Sequence, residues 1–153
     1  MKRALIAISV LCAFAAFAQE HPEHPANKPA PKNVHAYSMD ELEKAIVGAI
    51  NAKTEQDGGV YKVDDKVASK QWDLKLDHVH RERLARIDPT TYFACTDFKS
   101  TDGHLLDLDF FMKDNGQKLV MTDATIHKVD GKPRYDWKEK DGYWVKVPPA
   151  ASK

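Results

Sequence analysis

Gln19, Glu20 and His21 are the first residues of this chain whose types and order could do chemistry. If processing makes Gln19 the first residue, its terminal amine, two backbone amides and the His21 imidazole offer four nitrogens in one plane. Cu(II) and Ni(II) favour this square-planar nitrogen geometry. Cleavage one residue away, or cyclisation of Gln19, would remove the site. The sequence therefore predicts a copper or nickel site that depends on an unblocked Gln19 amine.

His78 and His80 form a His-x-His pair at the end of an alternating segment, residues 71–80. Strand alternation places both imidazoles on one face, the same face as Trp72. Two such histidines can bind one metal ion, but a catalytic zinc usually has three protein ligands. The candidates for a third ligand are Cys95, Asp97 and His104. The alternative interpretation is that the two histidines lie at the end of the strand, where this face becomes exposed to solvent.

Cys95 is the only cysteine left if the first 18 residues are removed. A two-residue turn at residues 102–103 would place Cys95 opposite Phe110 on a buried strand face. This position favours a small apolar role for the thiol. A nucleophilic role would need a base within hydrogen-bond reach, and His80 and His104 are the candidates.

Asp107 and Asp109 flank Leu108 and, in the same register, point to the opposite face of the strand. Paired carboxylates can bind calcium or act in acid–base chemistry. An EF-hand would need a loop of alternating oxygen ligands, and none follows here. We therefore expect a solvated strand face at these two residues.

The first 18 residues have the pattern of a secretory signal peptide. Met1-Lys2-Arg3 is basic, residues 4–17 are apolar or small, and Ala16-Phe17-Ala18 is a small-x-small cleavage pattern. The apolar run is shorter than the ~20 residues that a membrane helix needs. The sequence predicts a periplasmic or secreted protein with no transmembrane segment in the mature chain.

The charge of the chain bears on the class of partner. Lysine and arginine together number 23, as do aspartate and glutamate, whereas a nucleic-acid-binding domain carries a basic excess. We expect no nucleic acid, and an unknown protein or small ligand as partner. Four aromatic residues are predicted to pack in the sheet core and at its edge, or to form a partner surface if exposed together: Tyr135, Trp137, Tyr143 and Trp144.

Residues 19–36 are predicted to be a disordered histidine- and proline-containing tail, because they hold too little apolar surface to fold. A single α+β domain is predicted over residues 37–148, with a loose C-terminus at 149–153. Ser38 and Glu41 match a capping box, which predicts a helix from Met39 to about Thr54.

Strands and turns are predicted for most of the rest of the chain. Turn signals separate the apolar segments at 102–103, 115–116, 130–131 and 141–142. The fold predicted is one N-terminal helix on a curved antiparallel sheet of about five to seven strands, an α+β architecture of the kind seen in cystatin-like folds.

Three stretches of the chain are similar to those of small uncharacterised exported bacterial proteins. They are residues 92–98 (YFACTDF), 107–111 (DLDFF) and 126–131 (IHKVDG). The resemblance implies one exported domain with a helix and an antiparallel sheet, and it carries no known activity.

Three functional hypotheses follow from these residues. The first is an exported, non-enzymatic binding or interaction protein. The second is a periplasmic metal-binding protein that uses Gln19, Glu20 and His21, with His24, His35 or the pair of His78 and His80 as further ligands, and copper or nickel as the ion. The third is a thiol-dependent enzyme built around Cys95.

Overall fold

The computed structural model describes residues 24–26, 28–29, 32, 35–141 and 143–150. Within these ranges the chain forms helix α1 (Met39–Gln56), a 3-10 turn (Arg81–Arg83) and nine strands. The strands are β1 (Tyr61–Asp65), β2 (Lys70–Val79), β3 (Ala85–Arg86), β4 (Thr91–Ser100), β5 (Leu105–Asp114), β6 (Leu119–Val129), β7 (Lys132–Pro133), β8 (Asp136–Lys140) and β9 (Tyr143–Val147).

Helix α1 begins with the capping box that the sequence predicts. The Glu41 N–H donates to the Ser38 hydroxyl at 3.3 Å, and the Ser38 N–H donates to the Glu41 carboxylate at 2.8 Å. The helix ends at Gln56, two residues beyond the predicted end, before Gly58 takes a positive φ of 88°. Its buried stripe, which anchors it to the sheet, consists of Leu42, Ile46 and Ile50.

We expect Ser38→Ala to lower the free energy of unfolding by about 1 kcal/mol, because it leaves the Glu41 N–H without its acceptor. Urea unfolding followed by circular dichroism measures this loss. Ser38→Asp keeps an acceptor at the cap and should retain most of the stability. Equal losses in both variants would contradict a capping role.

The helix packs on a strongly curled, seven-stranded antiparallel sheet, which confirms the predicted α+β fold. The strand order is β1-β2-β4-β5-β6-β7, and β3 pairs with the beginning of β4. The inner face of the sheet meets α1 through a core of large apolar side chains, among them Leu74, Phe98, Leu106, Leu108, Phe110 and Met112. Strands β8 and β9 form a separate hairpin.

The hairpin of β4 and β5 has a register one residue away from the predicted one. Cys95 pairs with Asp109, and Asp97 pairs with Asp107. The loop has three residues instead of two: the Ser100 N–H donates to the His104 carbonyl at 2.9 Å, and Gly103 takes a φ of 95°. A glycine in the left-handed region is typical of three-residue hairpin loops.

This one-residue difference exchanges the faces of every β5 side chain. Leu106, Leu108 and Met112 lie in the inner core and not beside Cys95. Asp107 and Asp109 instead share the outer face with Cys95 and are 9% and 0% exposed. The expectation of a solvated strand face at these two carboxylates is therefore wrong.

Across the described ranges, α1 is too polar to cross a lipid bilayer, and no other helix has the length to do so. Some residues of the segment predicted to be a tail lie against the sheet. The Lys28 N–H donates to the Arg86 carbonyl at 2.9 Å, and the Arg86 guanidinium donates to the Lys28 carbonyl at 2.6 Å. His24 also lies at the outer face of the sheet, with its ring centroid 5.9 Å from that of Phe93.

Candidate metal centre

A buried group of polar side chains lies on the outer face of the sheet, and we call it the outer cluster. Cys95 on β4 and Asp109 on β5 face each other across the hairpin, and both are fully buried. Apolar and aromatic residues surround them, chiefly Phe93 and Trp137. The outer cluster consists of His24, Cys95, Asp107, Asp109 and His127.

A β-bulge brings His127 into the outer cluster. Asp107 pairs with Lys128 and Leu108 pairs with Ile126, so His127 is the extra residue of β6. The His127 Nδ1 lies 3.7 Å from one carboxylate oxygen of Asp107 and 3.7 Å from one of Asp109. The Lys128 ammonium is 3.8 Å from Asp107. The bulge places both His127 and Lys128 on the outer face, where strict alternation along β6 would place only one of the two.

Asp109 is held through one of its two carboxylate oxygens. Its Oδ2 accepts hydrogen bonds from the Tyr135 hydroxyl at 2.7 Å and from the Trp137 indole at 3.0 Å. Its Oδ1 is buried and receives no hydrogen bond from any described residue. Burial raises the pKa of Asp109 to about 7, and the negative charge of Asp107 adds to this rise against the two hydrogen bonds.

The Cys95 thiol donates a hydrogen bond to Asp107 Oδ1 at 2.9 Å. Burial, with the adjacent carboxylate, raises the pKa of Cys95 well above its ordinary value, although Arg83 lies 3.8 Å from the sulfur. The pairing of the thiol with a carboxylate is the opposite of what activates a nucleophilic cysteine. His104, one of the two bases that the sequence offers, bonds Asp130 at the far end of the hairpin instead.

His24 reaches the outer cluster from the N-terminal segment. Its ring centroid is 5.6 Å from that of His127 and 5.9 Å from that of Phe93. Burial, helped by the charge of Arg83, lowers the pKa of His24 to about 3. The imidazole is therefore neutral at pH 7, the state in which histidine binds metals.

Two overlapping sets of donor atoms in the outer cluster are close enough to converge on one ion. In His24, Cys95 and Asp109, one donor atom from each residue lies within 4.8 Å of the other two. The same holds for Asp107, Asp109 and His127. Asp109 belongs to both sets. The sequence interpretation offered Cys95 as a third ligand for His78 and His80 and offered His24 as a further ligand of the N-terminal site, but it did not group either residue with Asp109.

The predicted ligands His78 and His80 do lie on one face, with ring centroids 4.9 Å apart. That face is not the face of Trp72, because a second bulge, between Leu76 and His78, shifts the register of β2. Glu82 completes a three-residue donor group with them. The sequence interpretation offered Asp97 as a third ligand; Asp97 bonds His80, while Cys95 and His104 do not join this group.

Other predicted residues have separate positions. Gln19, Glu20 and His21 lie outside the described residues. The predicted aromatic group packs in part, since Trp137 is buried and Tyr135 and Trp144 lie against it. The side chain of Tyr143 is outside the described part.

A cavity of about 510 Å³ opens beside the outer cluster. Its lining includes the acidic residues Asp97 and Asp107, the basic residues Arg83 and Lys128, and His80. The cavity therefore adjoins both groups of candidate metal ligands.

Comparison of the chain with protein-family models, with curated proteins and with solved structures found no match in any of the three. The function is consequently argued from the geometry of this chain.

Proposed function

We propose that the chain is an exported, non-enzymatic binding protein whose ligand is a divalent transition-metal ion, held by His24, Cys95 and Asp109. The pattern of the first 18 residues supports export. The observation that carries the metal proposal is the Asp109 Oδ1, a fully buried carboxylate oxygen with no hydrogen-bond donor among the described residues. A buried oxygen of this kind needs a partner, and a cation between the thiol and the imidazole would be one.

The donor set favours zinc among the divalent ions. Zinc binds cysteine sulfur at about 2.3 Å and histidine nitrogen or aspartate oxygen at about 2.0–2.2 Å. Donor atoms around a tetrahedral zinc are thus roughly 3.3–3.8 Å apart. The donor atoms of His24, Cys95 and Asp109 lie within 4.8 Å of one another. Binding would draw these side chains together by roughly 1 Å, with Asp107 or water as the fourth ligand.

The protonation states of the metal-free cluster are consistent with this proposal. Burial without a compensating cation raises the pKa of both Cys95 and Asp109. A bound divalent ion reverses this effect, because it stabilises the thiolate and the carboxylate. Metal binding would therefore release protons, and the apparent affinity should rise with pH.

The thiol-dependent enzyme has less support than a binding protein. The Cys95 thiol is fully buried and donates to a carboxylate. A nucleophile needs the opposite arrangement, with an adjacent base and a lowered pKa. The copper or nickel site at Gln19, Glu20 and His21 remains a separate prediction.

Cobalt substitution tests the zinc proposal directly. In a chain carrying Cys12→Ser, Cys95 is the only thiol. We expect added Co(II) to produce an ultraviolet thiolate-to-cobalt charge-transfer band and strong visible bands of tetrahedral cobalt, and zinc to bleach both. Zinc at 100 times its dissociation constant should add about 2.7 kcal/mol to the free energy of unfolding.

Matched variants separate the outer cluster from other histidines. Cys95→Ser should abolish the charge-transfer band, and Asp109→Asn should weaken binding strongly, because each removes a ligand. His104→Gln should change neither band, since His104 contacts Asp130 at another place in the fold. Absence of a charge-transfer band in the parent chain, with the fold intact by circular dichroism, would rule the site out.

A further inference from the structure

A second group of side chains that could hold a metal ion adjoins the cavity through His80, and we call it the rim group: His78, His80 and Glu82. The bulge in β2 turns His78 onto the outer face. His80 precedes the 3-10 turn, and within this turn the Glu82 carboxylate contacts the His80 Nδ1. One donor atom from each of the three lies within 4.8 Å of the other two.

The two nitrogens of His80 have different carboxylate partners. Its Nδ1 lies 3.0 Å from the Glu82 carboxylate, and its Nε2 lies 3.0 Å from the Asp97 carboxylate. With metal bonds of about 2.1 Å, a spacing of 3.0 Å between nitrogen and oxygen corresponds to an angle of about 90°, as in square-planar copper and nickel sites. The Nε2–H would then donate to Asp97, as metal-bound histidines usually donate to a carboxylate.

The surroundings of the rim group leave room for an exchangeable ligand. His80 and Asp97 line the cavity of about 510 Å³. The His78 and Glu82 side chains are exposed, so water reaches the group. Three protein ligands with an open position are typical of sites at which a metal exchanges or binds a further small ligand.

We propose that the rim group is a second, solvent-open metal site, in which His78, His80 and Glu82 bind a divalent ion and Asp97 orients His80. Two imidazoles and a carboxylate suit copper, nickel and zinc, and the usual order of stabilities puts Cu(II) first. The rim group shares no residue with the outer cluster. Experiments can therefore confirm or refute each of the two sites independently of the other.

A copper titration tests the rim group in a chain that lacks the competing sites. The parent for this test carries Cys12→Ser, Cys95→Ser, Asp109→Asn and His21→Gln. These substitutions remove both thiols, the carboxylate that the two donor sets of the outer cluster share, and the predicted N-terminal site. We expect one equivalent of Cu(II) to bind, with an electron paramagnetic resonance spectrum showing two coupled nitrogens. His78→Gln should remove one of the two and weaken binding more than tenfold, the lower limit for loss of a supporting residue.

Asp97→Asn measures the positioning role. We expect it to weaken Cu(II) binding about ten- to a hundredfold while two nitrogens remain coupled, because the ligands stay and only their orientation is lost. Glu82→Gln should weaken binding with the same nitrogen count. Loss of a nitrogen in Asp97→Asn would instead overturn the assignment of Asp97.

His104 provides the matched control. It forms a similar histidine–carboxylate contact, 2.7 Å from Asp130, but it belongs to no three-residue donor group among the described residues. His104→Gln should leave the copper affinity and spectrum unchanged. Equal copper binding in the parent and in His78→Gln, Glu82→Gln and Asp97→Asn would refute the rim site. Loss of binding in His104→Gln alone would refute it as well.

Discussion

Trp137→Ala should lower the free energy of unfolding by about 3–5 kcal/mol, the usual cost of removing a large buried aromatic side chain. Trp137 is 7% exposed and packs against Phe93 and Phe111, at ring centroid distances of 5.7 and 6.0 Å. It also anchors the β8–β9 hairpin to the outer face. Urea unfolding followed by far-ultraviolet circular dichroism measures the loss without relying on tryptophan fluorescence.

Trp137→Phe separates packing from hydrogen bonding. The phenylalanine ring keeps most of the buried contacts but has no N–H for Asp109 Oδ2. We expect it to cost about 1–3 kcal/mol, the usual range when a buried acceptor loses a hydrogen-bond donor. A loss below 1 kcal/mol in Trp137→Ala would show that the hairpin does not stabilise the sheet.

The second large effect concerns how the free energy of unfolding of the metal-free protein depends on pH, and how Asp109→Asn changes that dependence. The pKa of Asp109 is raised from 3.8 to about 7 in the folded state. A raised carboxyl pKa contributes stability that is fully present below the unfolded pKa and lost as pH rises through the folded pKa. At about 1.4 kcal/mol per pKa unit, the loss between pH 4 and pH 7 amounts to about 4 kcal/mol at most.

Asparagine does not titrate. The Asp109→Asn variant should therefore not show this decrease in the free energy of unfolding between pH 4 and pH 7. Relative to the parent, the variant should be least stable near pH 4 and gain steadily up to pH 7. Chelator-treated protein, unfolded in urea at several pH values, gives this difference curve. Asp64→Asn, which removes an exposed carboxylate on β1, controls for net charge. A flat difference curve for Asp109→Asn would mean that Asp109 is charged throughout this range.

The two proposed metal sites differ in how far they could be recognised from the sequence. The rim group lies close together in the chain, at residues 78, 80 and 82, and the His-x-His pair was visible from the sequence. Glu82 was not identified, because its approach to His80 depends on the 3-10 turn at Arg81–Arg83. The outer cluster joins residues 24, 95, 107, 109 and 127, most of which are distant in sequence, so local patterns could not reveal it.

The register of the β4–β5 hairpin is the clearest feature that the local sequence pattern could not determine. Asp102-Gly103 correctly marked a turn between β4 and β5, but two-residue and three-residue loops both fit that signal. The third loop residue moved Asp107 and Asp109 from the expected solvated face to the buried outer face. The glycine at the last loop position is the one signal that favoured the longer loop.

The sequence by itself determined the elements of this protein: the capped helix with its apolar stripe, the succession of strands and turns, and the α+β class. These features depend on interactions between residues that are close in sequence, and the spacing of the apolar residues along the chain reveals them. Only the tertiary structure decided which polar residues meet. A three-residue loop, two β-bulges and the contact of an N-terminal segment with the sheet bring them together, and each of these shifts a side chain by one position or joins residues distant in sequence.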